Sequence, residues 1–201
     1  MFKKLAASAA ILAAAASVAG FGTYATFTSS SAASSVFATG SVSIALGAVG
    51  PANRLTLGAS GLLPGDTMQR VIDLQNNGIA GSDDLAAVSL TTSASPSSLL
   101  DTDAVGGLQM TIDRCSVPWT ESGTAPAFTY ACSGTTSSVL PSQKVIGLNL
   151  GLSNLASLAA GVTDHLRVTL MLPSSAPNTM QGLSSTLDYT FVGTQRAGTD
   201  K

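Results

Sequence analysis

The sequence is poor in charge, in histidine and in cysteine, and each shortage excludes a class of protein. Only 10% of the 201 residues are charged, and nine lysines and arginines stand against 11 aspartates and glutamates. Binding to nucleic acid through its phosphates requires clustered cations, so this composition excludes it as a general activity. It also leaves no basic patch for anionic lipid.

The shortage of Glu and Lys argues against a helical bundle as well, because the wet faces of such bundles normally carry those residues. Serine, threonine, alanine and glycine are abundant instead, and hydroxyl side chains suit the exposed faces of strands. A surface with so little charge gives weak protection against self-association. It is compatible with a protein that packs against its own copies, or with a secreted protein that has a neutral exterior.

The first 25 residues have the pattern of a secretory signal peptide. Residues 1–4 carry two lysines, residues 5–21 carry no charge, and small residues stand at the exit, where Thr23-Tyr24-Ala25 fits the cleavage rule. We predict cleavage after Ala25, with Thr26 as the first mature residue, and only transient contact with the membrane during export. The alternative, a retained anchor, is disfavoured because the alanine-rich run is weakly hydrophobic and a Thr- and Ser-rich segment follows it.

The chain has two cysteines, Cys115 and Cys132. In the oxidising environment that secretion implies, we expect them to form a disulfide. Closing a loop of this length contributes about 3 kcal/mol in the chain-entropy treatment. Two cysteines without a nearby histidine or a CxxC spacing do not predict a zinc site.

Alternation of apolar and polar residues predicts about eight short strands. The clearest cover residues 165–172 and 186–192, where every second side chain is apolar. Turn signals stand at Leu63-Pro64-Gly65-Asp66 and Asn76-Asn77-Gly78. We therefore predict an all-β fold, an antiparallel two-sheet sandwich. The other predicted strands are 41–46, 54–57, 68–74, 85–92, 108–113, 128–132 and 144–152.

Two segments depart from the strand pattern. Residues 152–158 have apolar residues at helical spacing, with Ser153 as a possible cap, which predicts a short helical turn. The polar segment that follows the leader is expected to be flexible, with Phe27 as its one large apolar side chain. The predicted organisation is a signal peptide at 1–25, a flexible N-terminal segment at 26–36 and a β-sandwich domain at 37–201.

The sequence shows no catalytic signature. It has no HExxH, no GxSxG with a partner histidine and no P-loop. His165 is the only histidine and lies on the polar side of a predicted strand, which favours a solvated surface residue over a member of a triad. Trp119, between two prolines, is either a binding aromatic or, more commonly, a ring packed against the disulfide. We expect no enzyme activity and no cofactor.

Two acidic pairs are candidates for a calcium site. They are Asp83-Asp84 and the pair Asp101 and Asp103. Calcium takes six to eight oxygens, and neither pair has the DxDxDG pattern of a calcium loop. The sequence therefore favours solvated turns and predicts no metal ligand.

Four motifs spread along the sequence carry a family resemblance. They are GTYATF at 22–27, FATGSV at 37–42, LLPGD at 62–66 with NNG at 76–78, and NTMQGLSSTLDYTFVGTQ at 178–195. Together they resemble the TasA/camelysin (CalY) family of secreted surface proteins of Gram-positive bacteria. The first resembles the signal exit cleaved by a SipW-type signal peptidase, and the second is similar to the start of the family's first strand. The third is similar to the family's turn pair, and the fourth resembles its closing strand.

The resemblance implies a jelly-roll-like sandwich, secretion, and a role as a fibre or matrix subunit at the cell surface. In TasA-type fibres the mature N-terminal segment adds as a strand to the next subunit. Carried over, the donor runs from Thr26, Phe27 and Thr28 to Val36, with Phe27 as the anchor. Backbone hydrogen bonds would give affinity and alternate side chains register. The implied partners are copies of the chain and a SipW-type signal peptidase.

The chain departs from the better-known members in its cysteine pair and its low charge. Camelysin-type members are catalogued as metallopeptidases, but the residues that a zinc peptidase requires are missing here, so we do not carry that activity over. Two alternatives to a fibre subunit remain: a secreted metallopeptidase of camelysin type, and a β-sandwich that binds a carbohydrate or another surface ligand.

Overall fold

The computed structural model describes residues 26–33, 44–46, 50–55, 59–60 and 62–197. These residues include twelve strands, one short helix α1 (Leu99–Thr102) and a 3₁₀ turn (Asn178–Met180), and no helix among them is long and apolar enough to cross a membrane. The strands are β1 (Thr26–Ala33), β2 (Ile44–Leu46), β3 (Ala59–Ser60), β4 (Thr67–Asn76), β5 (Leu85–Ala94), β6 (Gln109–Cys115), β7 (Thr120–Thr124), β8 (Ala127–Ala131), β9 (Thr136–Lys144), β10 (Gly147–Leu152), β11 (Thr163–Met171) and β12 (Ser184–Gln195).

The strands form two five-stranded sheets and one separate hairpin. The first sheet has the order β10-β5-β12-β1-β3, the second has the order β2-β4-β11-β6-β9, and β7 pairs with β8. The predicted all-β sandwich is confirmed. The pairing is antiparallel with one exception, because β1 runs parallel to β12.

The core lies between the two sheets and follows the predicted alternation. Inward side chains of β11 and β12 are almost fully buried, whereas their neighbours along each strand are partly exposed. An antiparallel sheet with one wet face produces this pattern of two. The fully buried apolar side chains on these strands include Ile72, Leu74, Leu90, Met110, Ile112, Leu166, Val168, Leu170, Leu187, Tyr189 and Phe191.

The predicted helical turn at 152–158 is wrong. Residues 153–162 form turns and bends, because the buried carboxylate of Asp164 accepts hydrogen bonds from the backbone N–H groups of Ala156 (3.0 Å) and Ser157 (2.8 Å). The helix is instead α1. Its N-cap Ser98 forms a capping box with Asp101, a signal that helical spacing alone did not reveal.

Two strand predictions also need correction. The predicted strand 144–152 is interrupted after Lys144, because the backbone N–H of Val145 bonds to Leu108 O (2.9 Å) while its carbonyl accepts from Thr92 Oγ1 (2.6 Å) as the chain passes between the sheets. The predicted strand 54–57 is not found at Arg54 and Leu55, and residues 56–58 lie outside the described part. Strands β7 and β9 were not predicted, since their side chains are mostly small and polar.

Candidate functional site: the β1 slot and the hairpin

The N-terminal segment occupies a position inside the first sheet. Strand β1 lies between β12 and β3, and it pairs with β12 over its whole length, from Thr26 opposite Ser184 to Ala33 opposite Phe191. We call the space between β12 and β3 the β1 slot. Residues 26–36 were expected to be flexible. The structure differs for 26–33, where threonine and serine are compatible with the extended backbone that pairing with β12 requires.

The two strands beside β1 pair with different numbers of its residues. On one side β12 pairs with all eight residues of β1, whereas β3 pairs only with Thr26 and Phe27. Each paired residue adds backbone hydrogen bonds, so the contact with β12 dominates. Removing β1 would therefore leave an unpaired edge on a central strand of the sheet, which is a template for another strand.

The chain leaves β1 and enters the other sheet through a short connection. Ten residues, 34–43, separate Ala33 from Ile44, where β2 begins in the second sheet. Ile44 is buried and packs on Gly193 of β12, where an added Cβ would lie 2.3 Å from Ile44 Cδ1. The far end of the connection is thus fixed to the same strand that binds β1.

The hairpin formed by β7 and β8 covers the outer face of the second sheet. The disulfide between Cys115 and Cys132 ties the hairpin to the end of β6, with a Cα–Cα distance of 5.8 Å, so the predicted pairing is found in the structure. Trp119 Nε1 donates to the carbonyl of His165 (2.9 Å), and the guanidinium of Arg167 lies 4.4 Å from the centre of its ring. Trp119 is therefore held by β11.

The other edge of the hairpin contacts the segment 50–55, which precedes β3. The guanidinium of Arg54 donates two hydrogen bonds to Glu121 (Nε–Oε2 2.5 Å, Nη2–Oε1 2.8 Å), and Tyr130 donates to Glu121 as well (2.9 Å). These bonds from Arg54 lower the pKa of Glu121 and raise that of Arg54. Burial, more than the bond to Glu121, raises the pKa of Tyr130.

Phe128 at the end of the hairpin lies between two arginines. Its ring centre is 4.5 Å from the guanidinium of Arg54 and 5.8 Å from that of Arg70. Arg70 is 2% exposed and donates to the carbonyls of Gln69 (2.6 Å) and Pro126 (3.1 Å). Its desolvation lowers its pKa. The sequence did not predict this group of two arginines and a phenylalanine. The available signal was the rarity of charged residues, which makes each arginine a candidate for a specific contact.

The predicted site residues divide into three sets. Thr26, Phe27 and Thr28 lie in β1, Cys115 and Cys132 form the disulfide, and Ala25 and Val36 lie outside the described residues. The prediction has the donor segment flexible in its own chain and adding to an open sheet edge of the next subunit, whereas β1 lies within a sheet of its own chain. Donation to a neighbour therefore requires β1 to leave that position first.

A comparison with protein families identifies the chain. The model of the family described as camelysin metallo-endopeptidase matches residues 1–109. The chain belongs to the camelysin family. This membership supports a secreted or cell-surface protein. The match ends at the first residue of β6, so the hairpin, the disulfide and β12 lie beyond it. No curated protein matches the chain.

The described residues of this camelysin-family chain do not fit a zinc peptidase site. His165 Nδ1 lies 2.6 Å from Asp73 Oδ1, and the facing residue on the next strand is Cys115, which is bonded in the disulfide. No group of three or more His, Cys, Asp or Glu side chains that could hold a metal occurs in the part of the chain that the structure describes. We derive no metal-dependent step for this protein.

The acidic pairs support the backbone, and two of the four carboxylates are buried. Asp83 Oδ2 accepts from Ile79 N (2.8 Å), and Asp84 Oδ1 accepts from Ala160 N (3.1 Å). Asp101 accepts from Ser97, Ser98 and Ser185, and Asp103 accepts from Val105 and Gly106. The prediction of solvated turns is wrong for Asp83 and Asp101, which are 7% and 3% exposed.

Proposed function

We propose that the protein is a secreted structural subunit that assembles with its own copies by exchange of β1. In the single chain, β1 fills the β1 slot; in an assembly, the β1 of one copy fills the slot of another. The observation that carries the proposal is the parallel register of eight residues between β1 and β12. The β1 of a second copy can make the same pairing with β12, so strand exchange joins two copies without any new kind of contact.

The connection between β1 and β2 allows both arrangements. Packed sheets lie about 10 Å apart, and ten extended residues span up to about 35 Å. The linker 34–43 is thus longer than the passage between the sheets of one chain requires. A contact of this kind joins two different surfaces, so it propagates into a fibre when the geometry does not close.

Removal of the leader supplies the free end that exchange needs. We propose that a SipW-type signal peptidase cuts after Ala25, so that the mature chain begins at Thr26, where the described part of β1 also begins. A strand attached to a leader in the membrane has one end fixed and cannot thread into the sheet of a neighbour.

Deleting residues 26–36 from the mature protein tests this function. We expect the deletion to abolish fibres in electron micrographs while the remaining sandwich stays folded by circular dichroism, since the core between the sheets is retained. Fibres of normal length from the deleted protein would remove the mechanism.

A linker variant gives the complementary test. Deleting residues 35–43 leaves one residue between Ala33 and Ile44, which reaches about 7 Å and falls short of the roughly 10 Å between packed sheets. We expect this variant to form multimers at concentrations where the parent is monomeric. A monomeric variant with β1 still protected from hydrogen exchange would contradict the proposal.

A secreted metallopeptidase is the second candidate, favoured only by the description of the matching family. It predicts that purified protein cleaves casein, that chelators stop the cleavage, and that His165→Ala abolishes it. Absence of cleavage by protein that assembles normally would eliminate this candidate.

A further inference from the structure

The hairpin contacts the part of the chain that leads into β3. Residues 50–55 form a short turn on the edge of β4, where Asn53 Oδ1 accepts from Asp73 N (2.8 Å) and Arg54 N donates to Val71 O (2.9 Å). Leu55 is buried, at 3% exposure. The chain then reaches β3, four residues after Leu55, where it pairs with the first residues of β1.

Arg54 is the side chain that joins this segment to the hairpin. Its bonds to Glu121 have the two-point geometry in which a guanidinium holds a carboxylate most firmly. Phe128 stacks against the same guanidinium, so Arg54 is held by both strands of the hairpin. The disulfide restrains the hairpin in turn, because Cys132 follows β8 directly.

A second arginine attaches the hairpin to β4. Arg70 of β4 lies 5.8 Å from the ring centre of Phe128 and donates to the carbonyl of Pro126 (3.1 Å). The hairpin is therefore attached to β4 through Arg70, and through Arg54 to segment 50–55, which leads into β3 beside β1.

We propose that the hairpin regulates the exchange of β1, with the Arg54–Glu121 pair as the contact that keeps segment 50–55 and β3 in place beside β1. While the pair is intact, β3 stays seated and β1 opens rarely. When the pair is broken, β3 loses its anchor, and β1 leaves the slot more often. This inference rests on the proposed function for its consequence, but the opening of β1 is a property of the single chain.

Hydrogen exchange on the full mature monomer tests the coupling without requiring assembly. The variant Glu121→Gln removes the charge and keeps the size of the side chain. The control Asp113→Asn breaks another arginine–carboxylate pair, Arg167 to Asp113 (2.8 Å). Arg167 contacts Trp119 and the carbonyl of Tyr130, so this control disturbs the hairpin on its β11 side and leaves the Arg54–Glu121 pair intact. We expect amides of residues 26–33, 53–55 and 59–60 to exchange about fivefold faster in Glu121→Gln, with no such change in the control.

Arg54→Lys repeats the test from the other side, since a lysine cannot reproduce the two-point bond. Unchanged exchange of β1 in both Glu121→Gln and Arg54→Lys would overturn the proposed regulation, even if the protein assembles. Faster exchange in both variants supports it. If the faster-opening variants then also multimerise sooner by light scattering, the proposed function is supported as well; if no variant assembles, that function fails while the coupling stands.

Discussion

Carboxylates are scarce in this chain, and most of the described ones bind backbone N–H groups or arginines. Asp101 is 3% exposed and accepts three hydrogen bonds, from Ser97 Oγ (2.6 Å), Ser98 N (2.7 Å) and Ser185 Oγ (2.5 Å). This carboxylate joins the start of α1 to the start of β12. Buried acceptors with several donors hold local structure firmly, and losing one leaves the donors unpaired.

Asp101→Asn should lower the free energy of unfolding by about 2 kcal/mol. The Nδ2 amide of asparagine is a donor, and it would face hydroxyl and N–H groups that already donate to Asp101. Asp103→Asn is the matched control. Asp103 accepts from Val105 N and Gly106 N at an exposed turn, where asparagine makes the same bonds, so the loss should be much smaller. Urea unfolding of both variants measures the difference. Equal losses would show that burial of Asp101 is not what matters.

The pH dependence of stability should report the Arg54–Glu121 pair. The hydrogen bonds from Arg54 lower the pKa of Glu121 in the folded chain. A carboxyl with a lowered pKa stabilises the fold above its unfolded pKa, about 4.3, and loses that effect as the pH falls through the folded value. The gap in unfolding free energy between the parent and Glu121→Gln should therefore be full at pH 7 and narrow below about pH 4. A constant gap would contradict the assignment.

At the residue scale, the sequence predicted which positions are buried better than it predicted which side chains bind one another. Alternation in 165–172 and 186–192 correctly gave the buried faces of β11 and β12, because a pattern of two is a local property of a strand. The partners of Arg54 could not be predicted. Glu121 is 67 residues away, and only the folded hairpin brings the two together.

At the scale of elements, the hairpin depends on its disulfide. It forms its own two-stranded sheet, and isolated hairpins are marginally stable in water. Few contacts attach it to the second sheet: Trp119 donates to the carbonyl of His165, Gln69 accepts from the backbone N–H of Tyr130, and Phe128 lies against Arg70.

Replacing both cysteines by alanine should reduce the unfolding free energy by about 3 kcal/mol through the loss of the crosslink. Trp119 is the only tryptophan, so its fluorescence reports the hairpin separately from the sandwich. We expect the tryptophan signal to change at lower urea than the circular dichroism signal in the variant, and together with it in the parent. Coincident transitions in the variant would mean that the hairpin is held by its side chains alone.

The element predictions failed where tertiary contacts override local pattern. Residues 152–158 have helical spacing, yet Asp164 holds their amides in turns. Residues 26–33 contain few apolar side chains, yet the backbone of β12 organises them into β1. Neither influence is local in sequence, so propensity could not reveal it.

At the scale of the whole molecule, assembly requires that β1 can pair either with β12 of its own chain or with β12 of a neighbouring chain. In one chain it closes the first sheet between β12 and β3, and its exchange lets an identical bond form between chains. Because the contact in the assembly repeats the contact in the monomer, the balance depends on concentration, on the linker 34–43 and on the elements that hold β3.

The family could be identified from local sequence motifs, whereas the position of β1 in the sheet could not. The motifs that carried the resemblance fall mostly within residues 1–109, the range that the camelysin model matches. The position of β1 beside β12 was not accessible, because it joins the two ends of the chain, and no local signal records which strand an N-terminal segment selects.

Cross-linking in register tests the exchange most directly. Ser30 lies opposite Asp188 in the β1–β12 pairing, so the mature double variant Ser30→Cys, Asp188→Cys places two thiols side by side. The control Ser30→Cys, Ser184→Cys places them four residues out of register. We expect that oxidising the assembled double variant gives a ladder of covalent multimers on a non-reducing gel, absent in the control, while the dilute monomer forms the disulfide within one chain. Assemblies in which every such disulfide is intramolecular would show that β1 never leaves its own sheet.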